Sequence, residues 1–482
     1  MAGLAAILVP SFLPAQITFQ RTYGGGNYDD GESVQQTADS GYVVAGYTWS
    51  FGAGGMDVYL IKTDGRGETL WTRTFGGTNH DGGNSVQQTA DGGYIIGGFT
   101  YSFGAGHMDV YLIKIDAAGD TLWTKSYGGA EFDNGSSVQQ TADGGYIIAG
   151  TSDSYGAGSY DVYLIKTDGS GETLWTRTFG GGGDDEGFSV QQTADSGYIV
   201  AGHTNSFGAG GYDVYLVRTD ARGDTLWTRT FGGDTDDLGS SVQQTSDGGY
   251  IIAGYTSSYG AGLTDVYLIK TDVYGDTTWT RTFGGPNYDW GNSVQQTADS
   301  GYIVAGYTNS FGAGGYDAYL IKTDAHGDTM WTRTFGGAEE DQAWSVHQTS
   351  DGDYAIAGCT QSSGAGGDDV YLIKTDADGN VAVAEPKASP TRAQELSVSC
   401  EPNPFAGTTT IRLPPFAIRS SPLTLRVYDA QGCRVRSFTV NRTPYTAWDG
   451  TDDFGHPLPS GTYFIRLDTP TYKHVAKLVK TE

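Results

Sequence analysis

The sequence predicts an all-β chain: a seven-bladed β-propeller of four-stranded antiparallel blades, closed by its N-terminal strand and followed by a small C-terminal β-sandwich. Three observations predict it. A phrase opening SVQQ or SVHQ begins at Ser33, Ser85, Ser137, Ser189, Ser241, Ser293 and Ser345, always 52 residues after the last. Each unit holds four strand-like pieces separated by turn signals. The composition, 75 Gly and 32 Tyr among 482 residues with few charges, suits short strands and tight turns rather than helices.

Taken in chain order, residues 1–16 (MAGLAAILVPSFLPAQ) form an apolar stretch ending in small residues. They read as the back half of a signal peptide, without the basic leading segment such a peptide carries. Residues 17–380 are expected to be the propeller. In its second unit the pieces are SVQQT (85–89), YIIGGFT (94–100), DVYLIK (109–114) and TLWTKSYGG (121–129). YIIGGFT and DVYLIK are apolar without alternation, as in strands covered on both faces. TLWTRTFGG (69–77) alternates, with Trp71 and Phe75 on one face and Leu70, Thr72 and Thr74 on the other. Its cation suits an outer edge, where charge discourages stray strand pairing. SVQQT is short and polar and suits a crowded inner position.

A period of 52 residues is too long for a β-helix coil, and a lone all-β unit of that size would be marginal without neighbours. The chain ends point to a closed ring. The outer-strand phrase first occurs at ITFQRTYGG (17–25), ahead of the first SVQQ, and fails after the seventh DVYLIK, where GNVAVAEPK (379–387) stands instead. Every strand type therefore numbers seven only if the N-terminal strand completes the last blade.

Charge excludes some functions. The net charge is -28, and residues from 397 onward carry 10 Lys+Arg against 7 Asp+Glu, leaving 18 against 49 for the rest. Such an acidic body repels phosphate backbones and anionic membranes, so nucleic acid is not an expected partner. No apolar run reaches the ~18 residues of a membrane span. Cys359, Cys400 and Cys433 form no metal spacing, although Cys400 and Cys433 share the tail and could pair. The seven His occupy unrelated repeat positions and no nucleophile elbow occurs, so no catalytic residue, cofactor or metal is indicated.

Repeated polar positions read first as scaffold. The Gln at 36, 88, 140, 192, 244, 296 and 348 is expected to exchange amide hydrogen bonds between blades. Asp57 and its equivalents should cap the GAG loop, and Asp39 and Asp64 should serve turns. Asp29 and its equivalents recur in loops entering the inner strand, where capping is favoured over calcium. Variation gathers in the two long loops of one rim. Tyr28, His80, Phe132, Tyr288, Trp290 and Trp344 are assigned to the first loop, and Trp49 and Tyr101 to one slot of the second. Together these eight form a candidate ligand-binding rim, the kind of surface that stacks on sugars or grips a peptide.

Residues 381–396, rich in Ala, Pro, Lys, Ser and Thr, read as a linker. Beyond them, 397–482 alternates as a compact β-sandwich. There EPNPF (401–405), LRVYDAQG (425–432), WDGTDDFG (448–455), LPSGTYFIRL (458–467) and KLVK (477–480) resemble a type A sorting domain of the type IX secretion system and, equally, the FlgD-like immunoglobulin-type fold. The positions carrying the resemblance are Pro402, Asn403, Pro404, Phe405, Trp448, Asp449, Gly450, Gly461 and Lys477. It implies contact with secretion machinery and a secreted or cell-surface location. The repeats resemble Gly-rich propeller repeats of secreted bacterial proteins. The leading expectation is a non-catalytic binding or adhesion module. The alternatives are an extracellular hydrolase or lyase with rim carboxylates, and a structural surface-layer component.

Overall fold

A computed structural model describes residues 17–381, 399–412, 423–431, 433–440, 445–468 and 473–481. The signal-peptide reading of residues 1–16, and the linker beyond Val381, lie outside the described residues. All the regular elements described are β-strands. No helix among them is long and apolar enough to cross a membrane.

In the first unit β1 (Phe19–Tyr23) precedes β2 (Asp29–Gln36), β3 (Tyr42–Thr48), β4 (Asp57–Thr63) and β5 (Thr69–Phe75). Strands β2 to β5 form one antiparallel sheet in sequence order, and five further sheets repeat it. The seventh takes Asp341–Gln348, Tyr354–Thr360 and Asp369–Thr375 from the end of the array and β1 from its start. Phe19 faces Lys374 and Tyr23 faces Val370 across that seam. β1 also reproduces outer-strand packing. Phe19 meets Tyr42 edge-on at 6.0 Å, as Trp71 meets Tyr94 at 6.0 Å. Arg21 lies 5.7 Å above Phe19, as Arg73 lies 5.4 Å above Trp71.

β3 is buried except at Tyr47 and β4 is buried throughout, as unbroken apolar runs require; β5 alternates between exposed and half-buried. The core sits between blades: Val43, Ala45, Val58 and Leu60 of the first pack on Val86, Tyr94, Ile96 and Tyr111 of the second. Each blade must present the same faces to both neighbours, which explains the constant unit length.

The inner strands solve their edge problem with side chains. An inner edge presents backbone groups that no further strand pairs. Ser33 Oγ accepts from Val86 N at 3.2 Å, and Gln35 Oε1 from Gln88 N at 2.6 Å. Gln88 Oε1 accepts from Ala38 N at 2.8 Å, and Gln36 from Ser350 N at 2.8 Å, so the second-glutamine ring runs through the seam.

Each inner strand also bulges, in the first blade between Gly31 and Ser33. The bulge presses the Asp30 carbonyl onto Gly46, where an added Cβ would lie 1.8 Å from that oxygen. Only glycine fits there, and glycine fills all six equivalent places.

The lysine of DVYLIK, for which the sequence suggested no role, is buried. Lys62 reaches back to Asp39 in the turn after the inner strand, 3.0 Å away. The pair recurs in every blade, with Arg218 replacing lysine in the fourth.

The chain divides into two compact units, residues 1–383 and 384–482. In the second, one sheet holds Ser399–Glu401, Thr409–Arg412 and Tyr445–Trp448; the other holds Leu423–Tyr428, Arg434–Val440, Gly461–Asp468 and Lys473–Lys480. Phe405, Trp448, Tyr463 and Leu478 are among the residues that fill its core.

Candidate functional site

Down the ring axis runs a channel of about 290 Å³ lined by one valine and one glutamine from each inner strand, with His347 replacing glutamine in the seventh. The valine and the glutamine are part of the repeated scaffold, so the channel wall is nearly uniform.

Its mouth on the long-loop rim is not. Three strand positions there change from blade to blade: those of Asp30, Glu32 and Tyr47. Asp30 and Tyr47 face each other across the ladder, and Glu32 is the bulged residue. In blade order the sets are Asp30, Glu32, Tyr47; Gly82, Asn84, Phe99; Asn134, Ser136, Thr151; Glu186, Phe188, His203; Leu238, Ser240, Tyr255; Trp290, Asn292, Tyr307; and Gln342, Trp344, Cys359. The bulge turns its side chain toward the next blade. Asn84 donates to Asn134 Oδ1 at 3.2 Å and to the Gly135 carbonyl at 2.9 Å, and Trp344 Nε1 donates to Asp30 Oδ1 at 3.1 Å. The positions thus join into a belt around the mouth.

Trp290 and Trp344, read from sequence as loop residues, lie within the inner strands Asp289–Gln296 and Asp341–Gln348. The inner strands begin four residues earlier than the sequence suggested, at Asp289 and Asp341 rather than Ser293 and Ser345. Both belong to the belt: Trp290 stacks on Tyr255 at 4.7 Å, and Tyr307 meets Trp290 at 5.0 Å and Trp344 at 5.6 Å. Four others form an arc over the first three blades. Trp49 lies 4.8 Å from His80, His80 6.3 Å from Tyr101, and Tyr101 6.4 Å from Phe132. Tyr28 and Tyr288 are exposed on the same rim. The signal that would have found the belt was present: positions that vary inside strands otherwise almost constant.

Charge at the mouth has one sign. Residues 24–32 and 45–56 with their equivalents contain no Lys or Arg and 18 Asp+Glu. At the seam, burial pushes the Asp30 carboxyl up to about 6, the Gly31 amide opposing and Asp368 reinforcing the rise. Burial, then Asp30, raises Glu32 well above the carboxylate range. Burial and the same carboxylate raise the Cys359 thiol. Both carboxyls therefore hold their protons more tightly than free carboxylates do.

The repeated acids are scaffold. Asp57 Oδ2 accepts from Ala53 N at 2.8 Å, and Asp29 Oδ2 from Gly25 N and Ser50 Oγ at 2.7 Å each. Among the described residues no three His, Cys, Asp or Glu side chains group as a metal site. Cys359, Cys400 and Cys433 are all free.

In the C-terminal unit the motif residues build the fold. Asn403 Nδ2 donates to the Lys477 carbonyl and its Oδ1 accepts from Val479 N, both at 2.9 Å, so one side chain imitates a strand. Phe405 and Trp448 are core residues. Asp449 accepts from the Thr451 hydroxyl at 2.6 Å, and Gly450 lies in the left-handed region at φ 74°.

Over 240 residues, 44% of its length, this chain is 29% identical to the regulatory protein FlaEY of Caulobacter vibrioides. The match covers 25% of that protein, so the chain spans a quarter of this curated relative. Among solved structures, PorZ, a surface component of the type IX secretion system of Porphyromonas gingivalis, is 12% identical with a TM-score of 0.42, covering 95% of this chain and 60% of that one. The polysaccharide lyase Uly1 is 10% identical with a TM-score of 0.44, covering 77% and 94%. Residues 404–471 match the FlgD Ig-like domain family, and the chain is therefore a seven-bladed propeller followed by an FlgD Ig-like domain.

Proposed function

We propose that the protein is a secreted or cell-surface binding module that holds its ligand at the channel mouth and along the adjoining rim. One observation carries this reading: seven near-copies agree through the core and turns and diverge where the belt and long loops meet. A scaffold under purely structural demand has no reason to place Glu, Asn, Ser, Phe and Trp at one position, that of Glu32, in different blades. Tyr28, Trp49, His80, Tyr101, Phe132, Tyr288, Trp290 and Trp344 supply the aromatic faces. The test is a glycan and peptide array probed with the wild type and with Trp49→Ala and His80→Ala, both at exposed or loop positions. A ligand bound by the wild type and lost by at least tenfold in both variants supports the reading; binding equal in all three ends it.

The C-terminal domain is the export address in this reading, through the type IX route. Its basic charge and order of motifs match a separable label on an acidic cargo. Residues 397–482 fused to a periplasmic reporter should bring it to the surface of a host with that machinery. Retention of the fusion counts against the address.

One observation favours a second reading, an extracellular hydrolase or lyase. Asp30 and Glu32 form a carboxyl pair at the mouth whose proton affinities lie above the usual carboxylate range. Turnover of a polysaccharide, abolished in Asp30→Asn with the fold intact, would establish it over simple binding.

A further inference from the structure

The valines that line the axial channel keep their side chains between the blades. Val34 packs with Ala355, Ala357 and Leu372 of the seventh blade, and Val86 with Val43, Ala45 and Leu60 of the first. What they present to the channel is main chain. The ladder fixes which atoms. Thr37 N donates to the Gly41 carbonyl at 2.9 Å, so two residues back Gln35 exchanges bonds with Val43, and Val34 stands opposite Val44 without any. Val34 therefore turns both its N–H and its C=O away from β3. The N–H is capped by the Ser345 hydroxyl, and the same serine cap recurs at all seven junctions. The C=O has no such cap. Among the described residues no donor reaches the carbonyl of Val34 or of its six equivalents, which leaves seven oxygens on one level of the channel.

Charge decides what such a ring attracts. The wall holds only Val, Gln, Ser137 and His347, so it carries no Lys or Arg. Burial lowers the proton affinity of the His347 imidazole, which is neutral at pH 7. The glutamine amino groups also belong to the wall, since the amide oxygens are spent on Gln88 N and its equivalents. Donors of that kind suit an anion. The mouth, however, holds 18 Asp+Glu and no Lys or Arg. A narrow opening under acids of one sign gathers positive ions and turns anions away.

We infer that the ring of valine carbonyls binds a hard divalent cation, calcium, either directly or through water that the ion keeps. Carbonyl oxygens are ligands for hard cations, and seven of them match the roughly six to eight oxygens that calcium takes in flexible geometry. Magnesium demands a near-ideal octahedron, which a sevenfold ring does not offer. A doubly charged ion also gains twice what a singly charged one does from the acids of the mouth. With no carboxylate in the ring itself, the affinity should be modest, on the order of 10⁻⁴–10⁻³ M. The site goes beyond the rim-binding reading and does not depend on it.

Two measurements on the full chain test it. Crystals soaked in barium chloride locate the ion by anomalous scattering, and calorimetric titration with calcium, after chelation and in salt that screens the surface acids, reads its affinity. Barium should lie in the channel at the level of the Val34 carbonyl. His347 is the position to vary, because it lines the channel and, unlike the six glutamines, caps no amide among the described residues. His347→Glu should tighten calcium about tenfold or more, and His347→Lys should weaken it by as much. His347→Gln, which restores the repeat residue, should leave it within about twofold, since it adds no charge. A folding defect cannot tighten binding, so His347→Glu keeps the test decisive even if His347→Lys melts early. Barium found only at the loop aspartates, calcium binding indifferent to all three substitutions, or responses of the opposite sign overturn the inference.

Discussion

The backbone amide of Val34 donates to the Ser345 hydroxyl at 3.2 Å, although 311 positions separate them in the chain. The same bond joins Val86 to Ser33 and Val346 to Ser293, each at 3.2 Å. The seam between first and last blades is therefore built like every other junction, and β1 is its outer clasp.

That clasp should carry measurable stability. Phe19 is buried among Val34, Tyr42, Val370 and Leu372. Phe19→Ala should cost about 3–5 kcal/mol in urea unfolding, whereas Leu70→Ala, exposed on the first blade's outer strand, should cost under about 0.5 kcal/mol. Equal effects would mean that the N-terminal strand contributes nothing to closure.

The Lys–Asp clamps predict an acid limit. At Asp91 burial acts upward, but the Thr89 hydroxyl, Lys114 and the Gly93 amide outweigh it and bring the carboxyl down to about 2. A carboxyl lowered on folding takes up protons more readily when unfolded, so stability rises with pH across that interval. The contribution is present above about 4 and disappears as pH falls toward about 2. Asp91→Ala also leaves the buried Lys114 ammonium with only the Thr89 hydroxyl and the Ile115 carbonyl, and should cost about 1–2 kcal/mol at pH 7, the exposed carboxylate being screened by solvent. Thermal melts of both proteins from pH 2 to 7 should converge at the acid end.

Asp30 has the opposite sign. Its carboxyl is raised to about 6, so the folded chain holds a proton that the unfolded chain releases near 4. Its contribution is fully present below about 4 and lost as pH rises through about 6. Asp30→Asn keeps a neutral side chain at every pH. It should raise the melting temperature at pH 8 and leave it nearly unchanged at pH 4; the same shift at both values would refute the titration.

Ser40, Ser196 and Ser300 adopt left-handed backbone at φ 65°, 68° and 68°, where other blades place glycines such as Gly92 at φ 83°. A side chain there costs about 1 kcal/mol. Ser40→Gly should therefore stabilise by roughly 0.5–1 kcal/mol in chemical denaturation, and the triple substitution by roughly the sum, because the turns lie in separate blades. A destabilised triple variant would contradict the backbone assignment.

By itself the sequence determined the blades, their number and their closing strand. Those depend on rules acting within one 52-residue unit: apolar runs, alternation and turn residues, repeated seven times. It also marked the capping role of Asp57 and the exposed face of the outer strand, since both partners lie a few residues away. Only the tertiary structure decided that Lys62 is buried against Asp39, that Trp290 and Trp344 belong to strands, and that Trp344 reaches Asp30 across the seam. These relations span turns, blades and a bulge that rotates one side chain onto the next sheet. A bulge leaves little trace in local pattern, and neighbours across a ring are brought together by closure rather than by spacing along the chain.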